Sequence, residues 1–280
     1  MREVAIVGAG ELGGLTAHAL ARRHAAEVVR IVDDVGRVAE GKALDISQAA
    51  SVERFSTTVV GAAELSVISS ASVVVIADRA GGLDWPEEEG VSLLRRVRAV
   101  APRALLLCAG SSHRELVERG VRELRIARTR IVGSAGEALA AAAIAVVALE
   151  LDVSPRDVGL AVLGVPPRHL VIVWEAATVA GYSLTGMIRD PVRRLLTQRI
   201  GALWPVGPYA LASAACSAVE AISGASRRPL TCFVAPDDGS GKRTRTAALP
   251  VRLGPGGIEE IIAPPLSAAE RVALDNAMLL

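Results

Sequence analysis

Residues 4–13 read Val4-Ala5-Ile6-Val7-Gly8-Ala9-Gly10-Glu11-Leu12-Gly13, and the chain continues to a second apolar run, Val28-Val29-Arg30-Ile31-Val32, closed by Asp33. The first run is short and apolar and ends in a glycine-rich turn. Helical spacing follows over Glu11–Arg23, carried by Leu12, Leu15, Ala19 and Leu20. Strand, turn, helix and second strand in this order form the opening of a βαβ unit. Further apolar runs at Thr57–Val60, Ser72–Ile76, Ala104–Cys108 and Thr129–Val132 are separated mostly by helical stretches. Buried strands that read as continuous apolar runs between helices predict a parallel sheet covered on both faces.

The rhythm changes after Gly133. Ala135–Leu151 reads as one apolar helix, Val158–Leu163 and His169–Trp174 as strands, and Val192–Leu203 and Tyr209–Ser223 as helices. Three β segments follow at Leu230–Val234, Thr246–Leu253 and Ile258–Ile262, with turns at Asp237-Asp238-Gly239 and at Gly254-Pro255-Gly256-Gly257. Ser267 and Glu270 have the spacing of a capping box that opens a last helix. The chain is therefore expected to be α/β, a doubly wound parallel sheet over 1–133 followed by an α+β domain over 134–280.

With 280 residues, 51% of them hydrophobic, the chain is long enough to bury a core without disulfides or a metal. Its 31 basic and 30 acidic side chains nearly cancel, and only two Phe, two Tyr and three Trp are available for stacking. No nucleic-acid partner is expected from that balance. Cys108, Cys216 and Cys232 are odd in number and lack CxxC spacing, so they read as small core residues in a reducing compartment, and no metal site is expected. The longest apolar stretch, Ala138–Leu149, has 12 residues, where a membrane span needs about 20. A cytoplasmic protein without a membrane partner is the expectation.

The glycines of GxGxxG have separate tasks. Gly8 makes the tight turn, Gly10 lets the backbone approach a pyrophosphate, and Gly13 lets the helix pack closely on the strand. Backbone amides around Gly8, Gly10, Glu11, Leu12 and Gly13, together with the helix dipole, would hold the phosphates. Ala77, at the end of the fourth run, closes the other side. Asp33, 20 residues beyond Gly13, ends the second strand, where a carboxylate accepts from the adenosine ribose hydroxyls. Asp34 beside it would repel a 2′-phosphate, so the cofactor expected is NAD(H) rather than NADP. Substitution of Asp33 by Ala is expected to weaken NADH binding more than folding. Gly239-Ser240-Gly241-Lys242 fails the Walker pattern, which needs Gly at Pro236 and Ser or Thr at Arg243, and reads as a hairpin tip.

Across nearly its whole length the sequence resembles the lactate/malate dehydrogenase family. The resemblance rests on residues 8–14, on Gly41-Lys42-Ala43-Leu44-Asp45-Ile46 with Gln48-Ala49-Ala50, and on Val153-Ser154-Pro155-Arg156-Asp157-Val158 running into Val162-Leu163-Gly164. Thr178-Val179-Ala180-Gly181 and Leu249-Pro250-Val251-Arg252-Leu253-Gly254, leading to Gly257-Ile258-Glu259-Glu260-Ile261, continue it. The resemblance implies a Rossmann domain, a substrate domain, NAD, hydride transfer to a 2-keto acid, and a homodimer or homotetramer.

That family's chemistry uses a His as proton carrier, an Asp that orients it, an Arg fork on the substrate carboxylate and Arg residues on a closing loop. At the matching positions this chain has Pro166 for the His, and Leu139 and Ala142 for the Asp and Arg. The loop after the fourth strand is short, Asp78–Leu83, because Asp84-Trp85-Pro86 and three glutamates read as a helix start with Asp84 as N-cap. Gly110-Ser111-Ser112 stand where the family has Asn-Pro, and Pro205 or Val206 where it has Ser or Thr.

These replacements predict an NAD-binding pseudoenzyme, scaffold or sensor. The alternative is an oxidoreductase on a 2-hydroxy or 2-keto acid with a rebuilt site. Its candidate groups are His169, Arg168 and Ser111, with Asp78, Arg79, Ser112 and His113 nearby on strand-end loops. A third possibility is a protein-interaction module with an empty cleft, using the Ala-rich helix for close packing.

Overall fold

The computed structural model describes residues 1–82, 84–235 and 245–279. The first half alternates strands β1 (Glu3–Val7), β2 (Val28–Val32), β3 (Thr58–Ala62), β4 (Val73–Ile76), β5 (Leu105–Cys108) and β6 (Ile131–Gly133) with helices. These are α1 (Glu11–Arg22), α2 (Gly36–Glu53), α3 (Glu87–Val100) and α4 (Arg114–Arg122). The strands are parallel, in the order β3-β2-β1-β4-β5-β6. The order reverses between β1 and β4, so the C-terminal ends of these two neighbours diverge into a crevice at the switch point of the sheet.

Strand alternation decides what each face buries. Val4 and Ile6 of β1, Val73 and Val75 of β4, and Leu105 and Leu107 of β5 pack into one apolar cluster with α1, α2 and three later helices. Ala5 and Val7, Val74 and Ile76, and Leu106 and Cys108 pack into a second cluster against α3 and α4. Cys108, Cys216 and Cys232 are all buried free thiols, and burial pushes the Cys108 thiol up to about 12, where it is inert.

The second half comprises α5 (Ala135–Leu151), β7 (Val158–Gly159), β8 (Val162–Val165), β9 (His169–Ile172), β10 (Thr178–Val179), β11 (Tyr182–Ser183), α6 (Asp190–Gly201), α7 (Pro208–Ile222), β12 (Leu230–Val234), β13 (Ala247–Gly254), β14 (Gly257–Ile261) and α8 (Ala268–Leu279). The parallel sheet is prolonged by antiparallel partners: β12 pairs β6 at Phe233 and Gly133, then β13, β8 and β9 follow, with β14 on β13. Close approach at this junction suits Gly133, where a Cβ would lie 3.0 Å from the Phe233 side chain.

Several expectations shift. The single strand over Val158–Leu163 is two strands in different sheets, because Val158 and Gly159 pair with β10 while Val162–Val165 pair with β9 and β13. The Thr178-Val179-Ala180-Gly181 stretch forms a hairpin between β10 and β11, with Ala180 and Gly181 both at positive φ. Asp84 is not the cap of α3. Pro86 holds that position, and the three glutamates 87–89 form the first turn. The capping box that opens α8 is formed: Glu270 accepts from the Ser267 amide at 2.8 Å, and the Ser267 hydroxyl accepts from the Glu270 amide at 3.3 Å. Both segments 237–239 and 239–242, read as turn and hairpin tip, lie outside the described residues. Among the described residues no helix is long and apolar enough to cross a membrane.

Candidate nucleotide and active site

Gly8, at φ +113°, turns the chain from β1 into α1. A Cβ on Gly13 would strike the Gly8 carbonyl oxygen, so α1 starts in direct contact with the turn, as close helix packing requires. Glu11 is exposed and Leu12 buried, which places the first turn of α1 half in the core and half at the crevice. Lys42, projecting from α2, donates to the Gly10 carbonyl at 2.9 Å and clamps the turn from the side.

Asp33 lies at the end of β2, 6% exposed. Its Oδ2 accepts from the Ala9 amide at 2.8 Å and the Ala80 amide at 2.9 Å, and its Oδ1 from the Val35 amide at 2.9 Å. The carboxylate thus ties the glycine turn, the β2 exit and the β4 exit together. A carboxylate oxygen offers two acceptor sites, so Oδ1 keeps one for a ribose hydroxyl. Asp34 is exposed next to it.

The β4 exit comes straight over the glycine turn. The Gly10 amide donates to the Asp78 carbonyl at 2.9 Å, and the Gly13 amide donates to Asp78 Oδ1 at 3.0 Å. A Cβ on Gly10 would fall on the Asp78 carboxyl group. The space that a glycine here keeps open for a pyrophosphate is filled by that carboxylate, with the Arg79 carbonyl oxygen beside it. Turn, ribose acid and helix terminus fit a dinucleotide, but the phosphate cradle admits one only with Asp78 turned away.

The short loop beyond Asp78 is folded down. Arg79 stacks over the Trp85 ring at 4.9 Å and pairs with Glu89 at 2.8 Å. Trp85 Nε1 donates to the Ala77 carbonyl at 2.7 Å. Asp84 meets the β5 exit, accepting from His113 Nε2 at 2.7 Å and from the Ser112 hydroxyl. Burial acts to raise the Asp84 carboxyl, but the bonds from His113, Ser112 and the Trp85 amide outweigh it and hold it well below the usual carboxylate range. His113 Nδ1 accepts from the Gly110 amide at 3.0 Å, so the ring proton sits on Nε2, facing Asp84. Buried to 2% exposure with both nitrogens engaged, this imidazole fastens loops and has no free nitrogen for a substrate.

Pro166 is buried in the turn between β8 and β9. Leu139, 1% exposed, belongs to the large apolar cluster, and Ala142 is half-buried three residues further along α5. The polar group that α5 does bury is Glu137, which accepts from Arg228 at 2.7 Å and from the Thr231 amide at 2.8 Å, pinning α5 to β12. Arg168 is exposed, and His169 starts β9 half-buried. Among the described residues, neither forms a side-chain hydrogen bond or ion pair. Ser111 donates to the Val206 carbonyl at 3.5 Å. No hydrogen bond joins His169, Arg168 and Ser111 to one another.

Asp84 and Lys42 had no site role in the sequence. Asp84 looked like a helix cap because acidic-Pro-acidic spacing is local, whereas its partners come from β5. Asp78 was visible only as a polar residue after the fourth strand.

Comparison with known proteins accords with this geometry. Residues 2–90 match the lactate/malate dehydrogenase NAD binding domain. A malate dehydrogenase of Thermomicrobium roseum is 32% identical, over 99% of this chain and 94% of that protein. One from Dehalococcoides mccartyi is 29% identical, over 98% and 95%. Among solved structures, malate dehydrogenase from Salinibacter ruber superposes with a TM-score of 0.87 at 25% identity, covering 98% of this chain and 93% of that one. The lactate dehydrogenase of Cryptosporidium parvum, complexed with lactic acid and NAD, shares the fold with a TM-score of 0.89 at 21% identity, covering 99% and 94%. This chain belongs to the lactate/malate dehydrogenase family, and its residues 2–90 match that family's NAD binding domain.

Proposed function

We propose that this chain is an NAD-binding family member that does not carry out the malate or lactate dehydrogenase reaction, and that it works as a scaffold or NAD sensor. The observation that carries the proposal is the chemistry at the three substrate positions. Pro166 has no proton to exchange, and Leu139 and Ala142 present hydrocarbon where an orienting carboxylate and a carboxylate-binding guanidinium are needed. Proton transfer and substrate orientation both disappear with these residues. The tethered loop supports the same reading, since Arg79 is committed to Glu89 and Trp85.

A rebuilt oxidoreductase site gains little support. Among the described residues His169 has no carboxylate partner, and His113, which has one, spends its other ring nitrogen on Gly110. Within the proposal, residues 1–133 hold the nucleotide, with Gly8, Gly10, Glu11, Leu12, Gly13, Asp33, Asp34 and Ala77 around it. Residues 134–280 form the former substrate domain. The assembly is a cytoplasmic homodimer or homotetramer.

The deciding experiment is an NADH-linked assay in both directions, with malate and oxaloacetate and with lactate and pyruvate, at saturating cofactor. No rate above background is expected. Turnover in the ordinary range of about 1–10³ s⁻¹ would overturn the proposal.

A further inference from the structure

We infer that Asp78 is a built-in occupant of the pyrophosphate position, which makes it the residue that sets dinucleotide affinity in this chain. The inference deepens the NAD-binding proposal and rests on it. The amide of Gly13 and the start of α1 form an anion site, where backbone N–H groups and the positive end of the helix dipole converge. In this chain the anion is supplied from within, because Asp78 Oδ1 accepts from Gly13 at 3.0 Å. The remaining carboxylate oxygen lies over the bare Cα of Gly10.

The two anions exclude each other on two grounds. They claim the same volume, since the carboxyl group stands where a Gly10 side chain would be. They also carry the same sign, and no cation among the described residues is hydrogen-bonded or ion-paired to Asp78 to offset a second negative group. The clamp residue Lys42 is directed at the Gly10 carbonyl instead.

The topology explains why the carboxylate is held there. β1 and β4 are neighbours at the switch point, with Val7 opposite Ile76. The backbone around Asp78 is fixed on three sides: Ala77 donates to Val7 at 2.9 Å, Gly10 donates to the Asp78 carbonyl at 2.9 Å, and Ala80 donates to Asp33 at 2.9 Å. With the main chain pinned, the Asp78 and Arg79 carbonyls stay beside Gly10, and side-chain rotation of Asp78 is the local motion that withdraws the carboxylate and frees the Gly13 amide. Asp78 is half-buried, so the carboxylate can rotate toward solvent. The apparent NAD affinity is then the intrinsic affinity multiplied by the fraction of molecules with Asp78 turned out. A side chain that only packs, without competing, would leave that affinity unchanged.

The test compares wild type, Asp78→Ala and Asp78→Asn by calorimetry with NADH. In parallel, the backbone amide signals of Gly10 and Gly13 are followed by NMR during titration with inorganic pyrophosphate. Asp78→Ala removes both charge and volume, and should bind NADH at least about tenfold more tightly than wild type. It should also show pyrophosphate-dependent shifts at Gly13 that wild type lacks. Asp78→Asn keeps the shape and an acceptor for Gly13 but loses the charge, so its gain should be smaller. If Asp78→Ala does not fold, an NADH gain and Gly13 response in Asp78→Asn support the inference, and their absence overturns it.

Equal NADH affinity in wild type and Asp78→Ala overturns the inference while leaving NAD binding intact. Pyrophosphate binding at Gly13 in Asp78→Ala without NADH binding supports the plug and refutes the NAD assignment. Binding of neither ligand by Asp78→Ala refutes both.

Discussion

Removing the Asp33 carboxylate tests whether the nucleotide turn is held by its own acid. In Asp33→Ala three backbone amides lose their acceptor. Ala9 is fully buried, so its N–H has no water to turn to, and an orphaned buried donor costs about 1–3 kcal/mol. The amides of Val35 and Ala80 are better placed to be rehydrated, and each loses only the net worth of a charge-assisted bond discounted for water, about 0.5–1 kcal/mol. The total is about 2–5 kcal/mol, a large share of the ~5–15 kcal/mol typical of a folded domain. At about 2.1 cal/mol/K of unfolding entropy per residue, this lowers the melting temperature by roughly 3–8 °C.

The same carboxylate has one acceptor site left for a ribose hydroxyl, worth at most ~1.5–3 kcal/mol. Folding therefore suffers by an amount comparable to the loss in NADH binding, where the motif alone predicts that binding suffers more. Asp33→Asn should lose about half as much stability, because its amide oxygen can still serve Ala9 and Ala80 while its NH₂ faces the Val35 amide donor to donor. Thermal melts followed by far-UV circular dichroism, with urea unfolding alongside, measure the effect. An Asp33→Ala protein melting within ~1 °C of wild type would refute the structural account of this residue.

Pro166→His alone should show no malate or lactate turnover, since groups that act as a unit do not restore activity singly; robust activity would show an intact substrate site elsewhere. Adding Leu139→Asp and Ala142→Arg should still leave turnover poor and should cost at least about 4 kcal/mol, read from the melting temperature, because position 139 lies in the apolar core. Glu137→Ala should destabilise by about 1–3 kcal/mol in urea unfolding through the orphaned Thr231 amide, with no change in NADH affinity. The Asp84 carboxyl is held low in the folded state, so the folded chain binds fewer protons there than the unfolded one. Its contribution is full above about pH 4, the unfolded carboxylate value, and is lost as pH falls toward the folded value; stability profiles of Asp84→Ala and wild type should converge at the acid end. Convergence at neutral pH instead would contradict the His113 and Ser112 contacts.

The elements of the first half were legible because each is a local pattern. An apolar run of strand length, a glycine turn and helical spacing each depend on residues a few positions apart, and β1, α1 and β2 follow those runs closely. The loss of chemistry at Pro166, Leu139 and Ala142 was legible for a similar reason: a residue type that cannot carry a proton or a charge is visible without coordinates. The division of Val158–Leu163 between two sheets was not, because its partners, β10 on one side and β9 and β13 on the other, are brought in by distant parts of the chain. Asp84 misled as a cap because His113 and Ser112 reach it only when β5 lies beside β4. Most of all, the motif states that Gly10 leaves a space, while the identity of what fills it depends on strand order. Placing β4 next to β1 puts Asp78 over a turn 65 residues away in the chain, and hydrogen-bond geometry at that range is decided by tertiary packing.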